Sequence, residues 1–328
     1  MLWLKRRNNL RAKGILGINE RNIAYISRYN ERKRFPLVDN KLLTKRAAQQ
    51  AGIAVPELYG VIESTYQLRT LANLLEPLDQ FVIKPTRGSG GKGILVLSRQ
   101  DERNFVKPGG QILSLAEIRH YISNILSGVY SLGGQPDSAF IEALVISDPG
   151  LEQYSYEGLP DIRVVIFQGF PVMAMLRCPT HASDGKANLH QGAVGVGIDI
   201  TTGNALHAVQ NNRVISNHPD TGVDFSDLVI SEWTTLLTLA SSCYELTGLG
   251  YLGSDIVIDR SHGPLLLEIN ARPGLSIQTA SGIGLRDRLM TIQQLPKSNW
   301  DIEARIAYIM ANFGAIDIEP AAAGVRGC

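Results

Sequence analysis

The stretch Gly253-Ser254-Asp255-Ile256-Val257-Ile258-Asp259-Arg260-Ser261-His262-Gly263-Pro264-Leu265-Leu266-Leu267-Glu268-Ile269-Asn270 constrains the fold more than any other. Two apolar runs flank a polar turn, which is the pattern of an antiparallel hairpin. With the turn centred between Ser261 and His262, Asp255 falls opposite Glu268. Alternation puts Leu266, Glu268 and Asn270 on one face and Leu265, Leu267 and Ile269 on the other. Carboxylates paired across a ladder have Cβ atoms about 4.5–5.5 Å apart and repel each other. A fold that keeps them there needs a cation between them. Two carboxylates and an amide oxygen are hard donors, and they favour Mg2+ or Mn2+ over zinc.

A second constraint is Thr86-Arg87-Gly88-Ser89-Gly90-Gly91-Lys92-Gly93, which contains GxGxxG at 88, 90 and 93. A dinucleotide-binding turn must open a helix, whereas Ile94-Leu95-Val96-Leu97 is strand-like. A P-loop needs Ser or Thr after its lysine, and Gly93 follows Lys92. A protein kinase needs later HRD and DFG motifs, and the chain has neither. What remains is a strand–turn–strand flap led in by Phe81-Val82-Ile83-Lys84. Its backbone N–H groups suit phosphate, and Lys84 adds a compact ammonium.

Along the chain, Asp39 caps a helix that carries Leu42, Leu43 and Ala47 and ends at Gly52. A polar helix is expected near Thr65–Leu75 and another near Leu115–Leu126, followed by a strand from Ala139 to Val145. Residues 147–160 and 181–192 read as loops, and Ile162–Phe167 with Pro171–Leu176 as a hairpin. Ser231–Thr247 and Asp301–Phe313 read as helices, and 314–328 as a tail. Hairpins separated by helices define an α+β chain with antiparallel sheets, not a doubly wound parallel sheet.

Composition narrows the class. At 328 residues, 44% hydrophobic and 19% charged, the chain is globular rather than disordered. Cys178, Cys243 and Cys328 form no CxxC pair, which excludes a zinc ribbon or disulfide framework and points to a reducing, cytoplasmic setting. No apolar run reaches membrane length. Residues 1–34 hold ten Lys or Arg against two acids, while the whole chain nets +1. A nucleic-acid partner is not expected on that balance, although the basic leader keeps it open, and a homo-oligomer is a separate expectation.

Taken in order, DNKLLTKRAAQQAGIAVPE, FVIKP with the glycine flap, IEAL, DIRVVIFQG, KANLHQGA and GSDIVID…LLLEINARPG resemble the ATP-grasp superfamily, and within it the RimK-like, α-L-glutamate ligase-like proteins. The resemblance covers roughly Pro36 to Leu289. It implies two α+β lobes with antiparallel sheets clamping ATP, here without the full small domain that usually precedes them. The division expected is a basic segment 1–35, an N-lobe 36–140, a C-lobe 141–295 and a C-terminal helix and tail 296–328.

Carried over by position, the resemblance makes Lys41 and Lys84 nucleotide-contacting, with Lys84 on the α/β-phosphates. Gly88, Ser89, Gly90, Gly91, Lys92 and Gly93 become the flap over the triphosphate, and Glu142, Ala143 and Leu144 the adenine edge. Asp161 matches a nucleotide-binding aspartate, and Lys186 and Asn188 match a loop that contacts ATP, with His190 close behind. Asp255, Glu268 and Asn270 match the ligands of Mg2+ (or Mn2+), with two ions expected. Arg163 faces the transferred phosphoryl, and Arg272 adds a cation for phosphate or substrate carboxylate, so that Arg163, Arg272, Lys186 and Asn188 form the implied catalytic set. Arg177 and His181 are weaker candidates for substrate contact.

The implied reaction is ATP-dependent ligation of a carboxylate to an amine, an amino acid or peptide, through an acylphosphate. Such phosphoryl transfer needs positioning and charge neutralisation more than covalent help from the protein. The alternatives are an ATP-grasp kinase acting on a hydroxyl, or a nucleotide-binding module without turnover.

Overall fold

The chain is described by a computed structural model over residues 9–88, 90–102 and 104–314. Ser89, Cys328 and the basic residues Lys5, Arg6 and Arg7 lie outside the described residues.

Two antiparallel sheets carry the architecture. The first contains β1 (Leu58–Ile62), β2 (Gln80–Pro85), β3 (Leu95–Arg99), β4 (Asn104–Val106), β5 (Ile112–Ser114) and β6 (Ala139–Ala143), in the order β1-β6-β2-β3-β4-β5. The second contains β7 (Asp161–Phe167), β8 (Phe170–Cys178), β9 (Val194–Ile198), β10 (Ala205–Gln210), β11 (Arg213–Ile215), β12 (Tyr251–Asp259) and β13 (Gly263–Asn270), in the order β11-β10-β9-β8-β7-β12-β13. Each sheet has its own core, so the α+β class and its antiparallel pairing hold. Position 140 falls inside β6, which pairs whole with the first sheet, and the chain passes to the second sheet after Ala143.

Helices cover the sheets with the faces their spacing dictates. Helix α1 is Lys41–Gln50, α2 is Leu115–Leu126 and α3 is Trp233–Thr247. Leu285–Gln294 is α4 and Ile302–Asn312 is α5. In α2, Ile118, Ile122 and Ile125 recur every three to four residues and bury completely in the first core, each contributing about 1.5–3 kcal/mol. Ser114 and Glu117 form its capping box. Helix α1 is capped by Asn40, whose Oδ1 accepts from Leu42 N and Leu43 N at 3.0 Å each; the expected cap, Asp39, ends the preceding helical turn. At the β7–β8 turn, Gln168 and Gly169 both take positive φ, 51° and 84°, the geometry of a two-residue type I′ hairpin.

The β12–β13 register keeps Asp255 opposite Glu268 and Gly253 opposite Asn270, as the hairpin reading expects. A bulge then leaves Leu267 without a partner, so Ile256 faces Leu266 and Asp259 faces Gly263. This corrects the face expected for the leucines: Leu266 turns into the core with Ile256 and Ile269, away from Glu268. Among the described residues, no helix is long and apolar enough to cross a membrane.

Candidate functional site

Strand β12 lies between β7 and β13, and all nine of its residues are buried. Asp255, in the middle of the strand, is 2% exposed, and the register lines up Arg163, Asp255 and Glu268 across three strands. Arg163 grips Asp255 with both arms of its fork, Nε to Oδ1 at 2.7 Å and Nη2 to Oδ2 at 2.6 Å. Arg177 on β8 donates to the same Oδ2 at 2.8 Å and, bidentately at 2.5 Å, to its cross-strand neighbour Asp161.

These contacts fix the charge states. Burial penalises the Asp255 carboxylate, but Arg163 and Arg177 more than offset it and hold its carboxyl well below the usual range. Burial pushes Asp161 up to about 6 against the pull of Arg177, and the nearby Asp255 charge adds to the rise.

A second cluster stands across the cleft. Glu142, on β6, is 2% exposed and pairs with Lys45 at 2.8 Å and with Lys84. Burial raises the Glu142 carboxyl, and the two lysines overcome that and hold it low. Lys41 and Lys45 are one helical turn apart on α1, so they share a face. Lys45 bonds Glu142 of the first sheet, and Lys41 bonds Glu268 of the second at 2.5 Å. One helix face therefore ties the two lobes together by charge. The sequence reading missed Lys45; its signal was the four-residue spacing from Lys41.

Asn270 closes the chain of contacts. Its Nδ2 lies 3.2 Å from Asp255 Oδ2 and 3.2 Å from Glu268 Oε1, so one small donor is shared by the two expected metal ligands. Amide nitrogen and oxygen are assigned from such networks, and the opposite flip presents Oδ1 to the same space. With that oxygen turned inward, Asp255, Glu268 and Asn270 would offer hard donors of the kind that suit Mg2+ or Mn2+, whereas in this structure Arg163, Arg177 and Lys41 supply the positive charge to the two carboxylates.

The glycine flap stands over this cleft from the first lobe. Gly90, Gly91 and Gly93 have φ of 63°, 74° and 76°, a backbone that side-chain-bearing residues resist. A Cβ on Gly91 would lie 3.7 Å from the Lys186 side chain, so flap and second-lobe loop meet. Asp137 anchors the flap base, accepting from Arg87 N at 3.0 Å and Ser131 Oγ at 2.8 Å, and from the Thr86 hydroxyl. Nothing in the sequence reading pointed to Asp137.

Other expected residues fall elsewhere. Asn188 caps a short turn by accepting from His190 N at 3.0 Å, and Lys186 pairs with Asp184 at 2.9 Å. Glu142 faces the lysines, whereas Leu144 lines a cavity of 1570 Å3 with Tyr59, Asp79 and Ser98, to which the ionic clusters contribute no residue. Arg272 lies over the Phe35 ring at 4.5 Å and 3.7 Å from Asp39, outside the Asp255 network.

The family model described as "Sugar-transfer associated ATP-grasp" matches residues 20–294. The chain is similar to a probable tubulin polyglutamylase ttll-9 of Caenorhabditis elegans, 24% identical over 279 residues, covering 77% of this chain and 62% of the relative. It is also similar to a probable alpha-L-glutamate ligase of Thioalkalivibrio sulfidiphilus (strain HL-EbGR7), 29% identical over 137 residues, covering 41% of this chain and 34% of the relative. The chain thus spans less than two thirds of either relative. Among solved structures, the ATP-grasp ligase PsnB with its minimal precursor aligns at TM-score 0.46 and 14% identity, over 81% of this chain and 63% of that one. A D-alanine–D-alanine ligase from Bacillus anthracis complexed with ATP aligns at 0.44 and 14%, over 83% and 68%. A match that takes in both sheets, the flap and the Asp255–Glu268 hairpin settles the family: the chain belongs to the sugar-transfer associated ATP-grasp proteins.

Proposed function

We propose that the chain is an ATP-dependent ligase that joins a carboxylate to an amine through an acylphosphate, releasing ADP and phosphate. The observation that carries the reading is Asn270, whose amide touches both Asp255 and Glu268 at 3.2 Å. Family membership and the names of the relatives support it.

In this reading Asp255, Glu268 and Asn270 hold Mg2+, which supplies charge neutralisation for the phosphates when bound. Arg163 and Arg177 keep Asp255 ionised and fix its orientation. Among the described residues the Lys84 ammonium has Glu142 as its partner, which leaves two of its three donors for phosphate. A substrate carboxylate oxygen attacks the γ-phosphorus, and the bond to the β–γ bridging oxygen breaks, freeing ADP. The amine nitrogen then attacks the acyl carbon, phosphate leaves with its bonding electrons, and the nitrogen loses a proton. The flap, in contact range of Lys186, excludes water from the acylphosphate.

The test is ADP release with Mg-ATP and pooled amino acids and peptides, followed by mass spectrometry of the product. A new amide, lost in Glu268→Ala, is expected. A phosphorylated hydroxyl product, or turnover retained in Glu268→Ala, overturns the reading.

A further inference from the structure

We infer that Asp137 is a positioning residue for the nucleotide's phosphate tail: its one carboxylate holds the stem of the glycine flap and, through Thr86, the start of α1 in a single frame. The inference rests on the ATP-dependent reading and adds to it a group that acts through the flap rather than on the nucleotide itself.

The ladder between β2 and β6 ends at Pro85 opposite Ala139. Just beyond it, Thr86 N still donates to the Ser138 carbonyl at 3.0 Å. The next backbone donors, Arg87 N and Ser138 N, turn instead to the Asp137 carboxylate, at 3.0 and 2.8 Å. The Thr86 hydroxyl donates to it as well, and so does Ser131 Oγ at 2.8 Å. Four donors therefore converge on one side chain in a residue 8% exposed. Removing such an acceptor strands buried donors, which costs more than an ordinary hydrogen bond gains.

Both stems of the flap rest on the loop that carries this carboxylate. Gly88 bridges to Ser131, and a Cβ on Gly88 would lie 2.4 Å from Cγ of Pro85, so only glycine fits that bend. Gly93, at the other stem, would put a Cβ 2.7 Å from Cγ of Tyr130, the residue before Ser131. Tyr130 is itself stacked on Tyr121 of α2, with ring centroids 5.4 Å apart. The same anchor reaches α1, because the Thr86 carbonyl accepts from Lys41 N at 2.8 Å while the Thr86 hydroxyl sits on Asp137. The flap backbone and Lys41, two of the groups given to phosphate in this reading, thus share one support. A flap ordered in advance spares the entropy of ordering it on the ligand. Losing the support therefore weakens contacts to the phosphate tail and leaves those to the base and ribose.

Equilibrium binding of Mg-AMP-PNP and of AMP, titrated by calorimetry without turnover, tests this independently of ligase activity. A loss confined to the phosphate tail is a result that general damage to the nucleotide pocket does not give. Asp137→Ala is expected to bind Mg-AMP-PNP about tenfold more weakly, the value of one charge-assisted contact, with AMP affinity unchanged. Asp137→Asn is expected to keep part of the wild-type affinity, because its amide oxygen can still accept from Arg87 N while Ser138 N alone loses its acceptor. Thr86→Val keeps the side-chain shape and removes only the hydroxyl, so it remains informative if Asp137→Ala does not fold. It is expected to weaken Mg-AMP-PNP about threefold, again with AMP unchanged. Parallel loss of both nucleotides, or an unchanged Mg-AMP-PNP affinity in Asp137→Ala and Thr86→Val, overturns the inference. Selective loss in these variants, alongside a wild type that forms no amide, would uphold Asp137 and remove the ligase reading. A wild type that binds neither nucleotide would remove both.

Discussion

Replacing Lys45 with methionine tests whether charge holds α1 between the lobes. Methionine keeps most of the apolar stem and removes the ammonium. That ammonium lies 2.8 Å from Glu142, donates to the Pro56 carbonyl at 2.5 Å, and belongs to a side chain 6% exposed. Taking one partner from a buried pair costs about 3–5 kcal/mol, because the remaining charge is left uncompensated. Glu142 keeps Lys84 as a second cation, so the loss falls at the lower end, about 3 kcal/mol. Burial also lowers the pKa of Lys45 itself against the pull of Glu142, which marks a desolvation cost that the substitution removes. At roughly 2–4 °C per kcal/mol for lobes of this size, Tm falls by about 6–12 °C. Thermal and urea unfolding of Lys45→Met, Glu142→Gln and the double variant close a mutant cycle. A coupling energy below about 0.5 kcal/mol would refute the charge bridge.

Lys84→Ala is expected to weaken ATP binding about 10- to 100-fold by removing one charge-assisted contact, and an unchanged nucleotide affinity in direct titration counts against the flap reading. Asn40→Ala removes the α1 cap and should lower stability by about 1 kcal/mol in denaturant unfolding, with no loss indicating that the cap is dispensable. Because Asp255 and Glu142 are held low, their contribution is fully present above about pH 4 and is lost as pH falls further. Asp161, raised to about 6, acts in the opposite sense: its contribution is present below about pH 4 and is lost as pH rises through 6. A Tm that stays level from about pH 4 down to pH 2 contradicts the first assignment.

The hairpin was legible because strand pairing is local. A turn and an alternation suffice to set Asp255 against Glu268, and only the bulge at Leu267 escaped, since one extra residue leaves no mark in a run of three leucines. Helix α2 was expected near Leu115–Leu126 and spans those residues, with the isoleucine spacing and the Ser114 cap as its local causes. Strands β9, β10 and β11 went unassigned: Val-Gly-Val-Gly-Ile carries glycines where a strand signal expects bulk. There the close approach of the Ala280–Ser281 backbone to Gly197 leaves no room for a Cβ, a constraint set by tertiary packing. The ionic partners were the least legible part. Arg177 meets Asp255 through registry across two strand pairs, and Lys45 meets Glu142 across the lobes, and neither distance is written in local spacing.

The central claim is that Asp255, Glu268 and Asn270 share one divalent cation beneath the nucleotide's phosphates. Anomalous diffraction from crystals grown with Mn2+ and a non-hydrolysable ATP analogue tests it most directly. A manganese peak about 2.0–2.6 Å from oxygens of both carboxylates, with the triphosphate reaching Lys84, is the predicted result. A nucleotide seated away from Lys84, or a peak with no ligand from Asp255 and Glu268, would contradict it.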